Sequence, residues 1–416
     1  MENKTNVIET KFTPYQKFVV AILALLQFTI VLDFIIISPL GDVLIKNLNI
    51  STSQFGFIVS SYAFSAGASG VLAAGFADKY DRKKILLFFY TGFILGTLFC
   101  GVANSYYMLL VARIVTGIFG GVIGAISLAI IADLFTLQQR GRVMGMVQMA
   151  FAGSQILGIP FGIFLSNHWG WHSAFLMIVV LALSIYIAIL IKLKPVNEHL
   201  KIKSDKNAFL HLWHTVSNKQ YQTGFLATAF LAIGGFMLMP FSSAFLINNV
   251  HITQSQLPLV FMFTGISSII VMPLIGKLSD KVDKFKLFAF GSVLATVMVL
   301  VYTNLIVIPV WQVIIVNMIL FMGIMSRIIP ATILNTSIPD MQDRGAFMSI
   351  TSSLQQMAGG IAAVLAGFVV HQETKTSPLE NFNVLGYIVA FVLVCCIWFV
   401  YRVSVMVNAK NTPQRK

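Results

Sequence analysis

The sequence predicts an all-α membrane protein whose twelve transmembrane helices form two pseudo-symmetric six-helix bundles. Three observations carry that prediction: the scarcity of charge, the recurrence of apolar runs near twenty residues, and a second half that repeats the first. Of 416 residues, 57% are hydrophobic and only 10% charged, with a mean hydropathy of +0.85. Soluble domains carry roughly 25% charged residues. A helix of about twenty apolar residues covers the roughly 30 Å of a bilayer core, so lipid is the solvent for most of this chain.

Hydropathy places spans at 17–40, 53–76, 84–103, 106–132, 141–166 and 172–193, then at 221–247, 256–278, 286–304, 308–334, 345–370 and 382–404. The first run is too long for a signal-peptide core, lacks a small-residue cleavage site and contains Asp33, so it is a retained helix. Between the sixth and seventh spans lies the longest internal polar stretch, the Lys-rich 194–220. It divides the chain into an N-terminal bundle, 1–193, and a C-terminal bundle, 221–416, with a cytoplasmic linker between them.

The net charge of +13 raises the question of a nucleic-acid partner. About 24 of the 28 Lys and Arg residues fall on one set of alternating loops. Lys46 and Lys375 fall on the other set, and Arg113 and Arg327 lie inside apolar runs. This is the asymmetry of the positive-inside rule, which places both termini in the cytoplasm of a multi-pass protein of the cell inner membrane. No basic stretch is interleaved with stacking aromatics, so no nucleic acid is expected.

Sliding one half on the other by about 202 residues tests for duplication. NISTSQ (49–54) then lies on HITQSQ (251–256), AGFADKYDRK (74–83) on GKLSDKVDKF (276–285) and, at a slightly larger shift, RGRVM (140–144) on RGAFM (344–348). Pro39 and Pro240 also correspond. The chain reads as a tandem duplication of a six-helix unit. Because six is even, both copies keep one orientation, and their symmetry axis runs along the membrane normal.

The loop from Ala74 to Lys83 resembles the signature of the major facilitator superfamily, Gly-x-Leu-Ala-Asp-Arg-x-Gly-Arg-Lys, and 276–285 is its repeat copy. Ala74 and Phe76 depart from the pattern, and Asp81 and Asp283 stand where it has its second glycine. Arg113 in RIVTGIFGG (113–121) resembles the fourth-helix arginine motif. Gly158, Pro160 and Gly162, with Gly153 upstream, resemble the fifth-helix glycine and proline motif, here expected to bend the helix. The resemblance covers essentially the whole chain and is closest to twelve-helix drug and sugar-efflux proton antiporters. The string Gly-Ile-Pro-Phe-Gly is nearer the sugar-efflux branch. The resemblance also implies a conformational clasp: Asp78 against the N-terminus of the eleventh helix, where a dipole favours a carboxylate, Arg82 with Asp133, and Asp280 as symmetry mate.

Asp33 lies deep in the first apolar run, where a charge costs at least a few kcal/mol. Arg113 lies at a comparable depth in the fourth, so the two can meet in a cavity of the N-terminal half. The repeat position of Asp33 falls near Gly234 and Gly235, so fold symmetry does not demand an acid. The expected role is proton coupling, the carboxyl switching between protonated and ionised forms. Arg327 is the only charge inside the C-terminal half; snorkelling to the inner surface and binding of an anionic substrate group both remain open. Phe236 and Met239, in a cluster of aromatic and flexible side chains, are candidates to line an adaptable apolar pocket.

Cys100, Cys395 and Cys396 lack metal-ligand spacing and read as packing residues. There is no Walker loop and no constellation of nucleophile, base and metal ligands, so no cofactor, metal or enzymatic activity is expected. The expected function is alternating-access export of a small organic molecule, hydrophobic or amphipathic, by proton-coupled antiport. Protons, the small-molecule substrate and the lipid bilayer are the expected partners, and the unit is a monomer. Transport of a sugar, lipid or metabolite in either direction is the alternative, and a sensor or scaffold on a transporter fold is the alternative of another class.

Overall fold

The computed structural model describes residues 12–73, 80–197, 200, 208–340 and 343–411. Within them twelve helical segments are long and apolar enough to cross a membrane. The first span is α1 (Pro14–Ile36), capped by Thr13 in a reciprocal box with Gln16, followed after a break by the short α2 (Gly41–Leu48). α3 (Thr52–Ala73), α4 (Arg82–Gly101) and α5 (Tyr106–Leu134) are the second to fourth spans. The fifth is composite: α6 (Leu137–Gly153), a π turn (Ser154–Gly158) and α7 (Ile159–Trp169). α8 (His172–Lys192) completes the half.

A short helix, α9 (Ala208–Ser217), lies within the linker. The seventh span is again broken, into α10 (Lys219–Phe236), a 3-10 turn (Met239–Phe241) and α11 (Ser242–Asn248). α12 (Leu257–Lys281), α13 (Lys284–Thr303), α14 (Val310–Thr336), α15 (Arg344–Val369) and α16 (Phe382–Asn411) follow.

Two features that the sequence comparison paired are structural equivalents. Asp81 and Asp283 cap α4 and α13: Asp81 accepts from the Lys83 and Lys84 amides at 2.8 and 3.3 Å, and Asp283 from the Lys286 amide at 2.9 Å. A carboxylate there satisfies free N–H groups and suits the positive end of the helix. Pro39 and Pro240 sit in the two helix breaks, where a missing N–H and a ring clash interrupt the ladder. Single continuous spans were expected at 17–40 and 221–247; each is instead a long helix followed by a short one.

The core has a telling distribution. At the end of the bundle opposite the termini, one continuous apolar cluster runs through both halves, from Leu32, Phe55 and Phe175 to Phe241, Tyr302 and Phe382. At the basic end, which carries Lys83, Arg140 and Lys410, there are two separate clusters, one in each half, around Phe89 and Ile130 and around Phe225 and Phe347. The halves are thus sealed together at the neutral end. α3 and α15 carry the contact deeper, where glycines allow backbones to touch: a Cβ on Gly56 would lie 2.8 Å from the Ala363 carbonyl oxygen.

Candidate functional site

Asp33 lies one turn before the end of α1, and Arg113 about one quarter of the way along α5. Arg113 Nη1 donates to Asp33 Oδ2 at 2.7 Å and to the Asp33 carbonyl oxygen at 3.1 Å. Thr97 Oγ1, from α4, donates to Asp33 Oδ1 at 3.1 Å. Both charged side chains are fully buried. The guanidinium carbon stands 4.5 Å from the centre of the Tyr62 ring on α3, a cation–π contact strengthened by the absence of water. Arg113 Nε and Nη2 have no hydrogen-bond partner among the described residues.

The pair expected from matching depths therefore meets, but inside the packing of the N-terminal half and not on a cavity wall. The cavity lies on the other side of Phe34. A void of about 10 Å³, room for one water, is lined between the halves by Phe34, Ser38, Val59 and Ala63 on one side and Phe236, Met239, Pro240, Gly359 and Ala363 on the other. Phe34 packs against Tyr62 with ring centres 5.3 Å apart and against Phe236 at 5.7 Å. A chain of side chains thus runs from the ion pair through Tyr62 and Phe34 to the void.

Sequence reasoning missed Thr97 and Tyr62. A threonine in an apolar run is a weak signal, because in a helix its hydroxyl ordinarily bonds a carbonyl one turn back, as Thr116 does with Ala112 at 2.7 Å. Only tertiary packing turned Thr97 toward Asp33.

Arg327 neither snorkels nor faces the void. It is 1% exposed, its Nε donates to Ser292 Oγ on α13 at 3.0 Å, and its guanidinium carbon lies 5.6 Å from the Phe288 ring centre. The face of α14 that carries it is turned toward α13, so the side chain is directed into the interior of its own half. Phe236 and Met239, by contrast, do line the void.

At the basic end Arg82 Nε donates to Asp133 Oδ2 at 3.2 Å, joining the start of α4 to the end of α5, and the Arg82 amide donates to the Val196 carbonyl at 3.0 Å. Asp78 lies outside the described residues, and of Asp280 only the backbone, in the last turn of α12, is described. Arg140 Nη2 and Nε donate to the Ala132 and Phe135 carbonyls at 2.5 and 3.1 Å, closing the C-terminus of α5.

Of the glycine and proline set, Pro160 has no N–H to offer the preceding turn, and just before it the helix widens into the π turn, with the Ile159 amide donating to Ser154 five residues back. The expected bend is thus a widened turn. Gly158 and Gly162 serve close approach: a Cβ there would come within 2.6 Å of Leu32, next to Asp33 on α1, and 2.8 Å of Ile36 at the end of that helix. The nearest side-chain atom to a Cβ on Gly153 would be at 3.6 Å, an ordinary contact.

A family model described as Major Facilitator Superfamily matches residues 23–363. The MFS-type transporter YceJ of Bacillus subtilis (strain 168) is 27% identical over 271 residues, 64% of this chain and 68% of that protein. Multidrug resistance protein 3 of the same organism is 33% identical over 156 residues, 37% of this chain and 30% of that protein, so the match spans under a third of its length. Among solved structures, the D-xylose-proton symporter has a TM-score of 0.76 at 16% identity, covering 93% of this chain and 98% of that one. The bacterial homolog of the human lysosomal transporter Spinster, inward-facing and unoccupied, has a TM-score of 0.74 at 16% identity, covering 97% and 100%. At these identities the two structures share the fold.

Proposed function

The chain belongs to the Major Facilitator Superfamily, and from that membership we propose that it exports a small hydrophobic or amphipathic molecule in exchange for protons. It is a multi-pass membrane transporter and not an enzyme. In the proposed cycle the two halves, divided at the linker 194–220, open in turn to either side. The basic end faces the cytoplasm, as the distribution of Lys and Arg favours, and the membrane is the bacterial inner membrane.

The observation that carries the proton role is the placement of the Asp33–Arg113 pair directly behind Phe34, a wall of the void. An ionised Asp33 holds the guanidinium by charge. A proton on the carboxyl removes that charge, and Arg113 is then left with neutral oxygen acceptors and the Tyr62 ring. Because Tyr62 touches Phe34, the change is felt at the wall that contacts the solute. Energetically the pair suits a switch: breaking one partner of a buried ion pair costs about 3–5 kcal/mol, enough for proton occupancy to bias a two-state equilibrium.

The apolar, aromatic lining of the void supports a hydrophobic solute, with Ser38 the single side-chain hydroxyl in the wall. The ion pair and the void both lie within one chain, which supports a monomeric transport unit. The test uses purified protein in liposomes with an imposed pH difference and a panel of hydrophobic cations, lysolipids and sugars. Accumulation of a hydrophobic member driven by the proton gradient is the expected result. Gradient-driven movement of sugars alone, or transport indifferent to pH, would replace this function with the polar-metabolite alternative or with an uncoupled carrier.

A further inference from the structure

The lid over the void is built from the two short helices that follow the proline breaks. At the start of α2, Gly41 lies against the Pro240 carbonyl in the turn that leads into α11, so close that a Cβ would stand 3.0 Å from its oxygen. Phe55 packs edge-on against Phe241 with ring centres 5.7 Å apart. Ser243 Oγ donates across the halves to the Ser38 carbonyl at 2.7 Å. Ser38 and Pro240, in the breaks just before the two short helices, also belong to the wall of the void, so the lid begins where the wall ends.

Just beyond this contact sits Asp42, 2% exposed and outside the machinery described above. Its Oδ1 accepts from Asn248 Nδ2 on α11 at 2.7 Å, and its Oδ2 from Gln254 Nε2 at 3.3 Å, both from the C-terminal half. From its own helix, Lys46 Nζ donates to Oδ2 at 2.7 Å and reaches Asn248 Oδ1 at 3.2 Å. The Gln254 carbonyl is in turn held by Asn167 Nδ2 at 3.0 Å, at the end of α7.

We propose that Asp42 is the latch of the gate at the neutral end: its carboxylate, held by Asn248 and Gln254, keeps α2 and α11 together, and opening toward that side requires those two bonds to break. A buried carboxylate persists only where donors surround it, and bonds to an ionised acceptor are roughly twice as strong as neutral ones. The division of donors between the halves is what makes the site a latch. Asn248 and Gln254 leave with the other half, while Lys46, one turn along the same helix, travels with Asp42. Opening therefore exchanges the two amide bonds to Asp42, and the Lys46 bond to Asn248, for water without stranding a charge, and the equilibrium stays within reach of a solute. The prolines at both breaks let α2 and α11 swing without dragging α1 and α10.

The inference rests on alternating access but not on the solute or the proton, and its test needs neither. Spin labels at Asn47→Cys and Ser255→Cys, in full-length protein with the three native cysteines replaced by Ala, report the separation across the neutral end in nanodiscs. In the parent the short separation should dominate. Asp42→Asn and Asn248→Ala should each raise the ratio of open to closed populations about tenfold or more, and the double variant should add little to either. If Asp42→Asn does not fold, Asn248→Ala and Gln254→Ala, which leave the carboxylate with Lys46, carry the test. Unchanged distance distributions in well-folded single variants would overturn the latch. So would effects of Asp42→Asn and Asn248→Ala that simply add, since independent structural contacts behave that way.

Discussion

A single nitrogen of Arg113 holds Asp33 twice, at the carboxylate by 2.7 Å and at the main-chain carbonyl by 3.1 Å. The second bond does not depend on the charge of the side chain. A proton arriving at the carboxyl therefore loosens the cation's hold on α1 without releasing it, and the helix can shift while the guanidinium stays packed on Tyr62.

Asp33→Asn keeps an acceptor for Thr97 but cannot carry a proton. Accumulation of solute against its gradient in response to a pH difference should fall to background, with exchange in the absence of a gradient retained. The check is uptake into proteoliposomes under both conditions, and surviving pH-driven accumulation would remove Asp33 from coupling.

Tyr62→Leu takes away the ring face on which Arg113 rests, a contact worth about 2 kcal/mol when desolvated. The pH-driven rate should fall by about tenfold or more, and Tyr62→Phe, which keeps the ring, should fall far less. Arg113→Lys should behave like Tyr62→Leu, because the ammonium keeps the charge but loses the planar guanidinium that lies over the Tyr62 ring. Equal losses for Tyr62→Leu and Tyr62→Phe would point to the hydroxyl in place of the ring.

Arg82→Ala and Asp133→Asn each break the contact between the start of α4 and the end of α5. Partly exposed pairs contribute about 0.5–1 kcal/mol, so the population open at the basic end should grow roughly two- to fivefold. Labelling of single cysteines from that side measures it. Unchanged labelling would leave the pair as a tie within one half.

Phe236→Ala and Met239→Ala remove apolar surface from the void wall. Each should weaken apparent affinity for a hydrophobic solute by about tenfold, since burying such a side chain is worth about 1.5–3 kcal/mol, while Phe236→Leu should cost less. Saturation curves for transport give the numbers, and unaltered affinity in both would take the void off the solute's path.

Outside the membrane, Asp343 precedes α15 and accepts from His211 of α9 at 2.9 Å and from the Tyr221 hydroxyl at 2.8 Å. The hydrogen bond from His211, then that from Tyr221, hold its carboxyl below the ordinary value of 3.8, against partial desolvation. A depressed acid stabilises the fold fully above its ordinary value and loses that contribution as pH falls through its folded value. The difference in thermal midpoint between wild type and Asp343→Asn should thus be present above the ordinary value of 3.8 and shrink as pH falls below it. A gap that persists at the acid end would assign the effect to packing.

What the sequence determined alone is whatever hydropathy and repetition encode: twelve spans, two copies in one orientation, a basic end, and Asp33 and Arg113 as charges too costly to be idle. These follow from the transfer cost of each residue and need no knowledge of neighbours. The tertiary structure decided which face of each helix turned inward. It brought Thr97 and Tyr62 to the ion pair, turned Arg327 toward Ser292, made Asp81 and Asp283 helix caps, and set Asp42 between Asn248 and Gln254. Such contacts join residues as far as 212 positions apart, and an apolar helix in lipid carries little amphipathic signal to reveal its rotation. That rotation was settled by shape, where Gly158 and Gly162 let α7 close on α1, and a hydrogen bond between two buried side chains forms only after the helices have met.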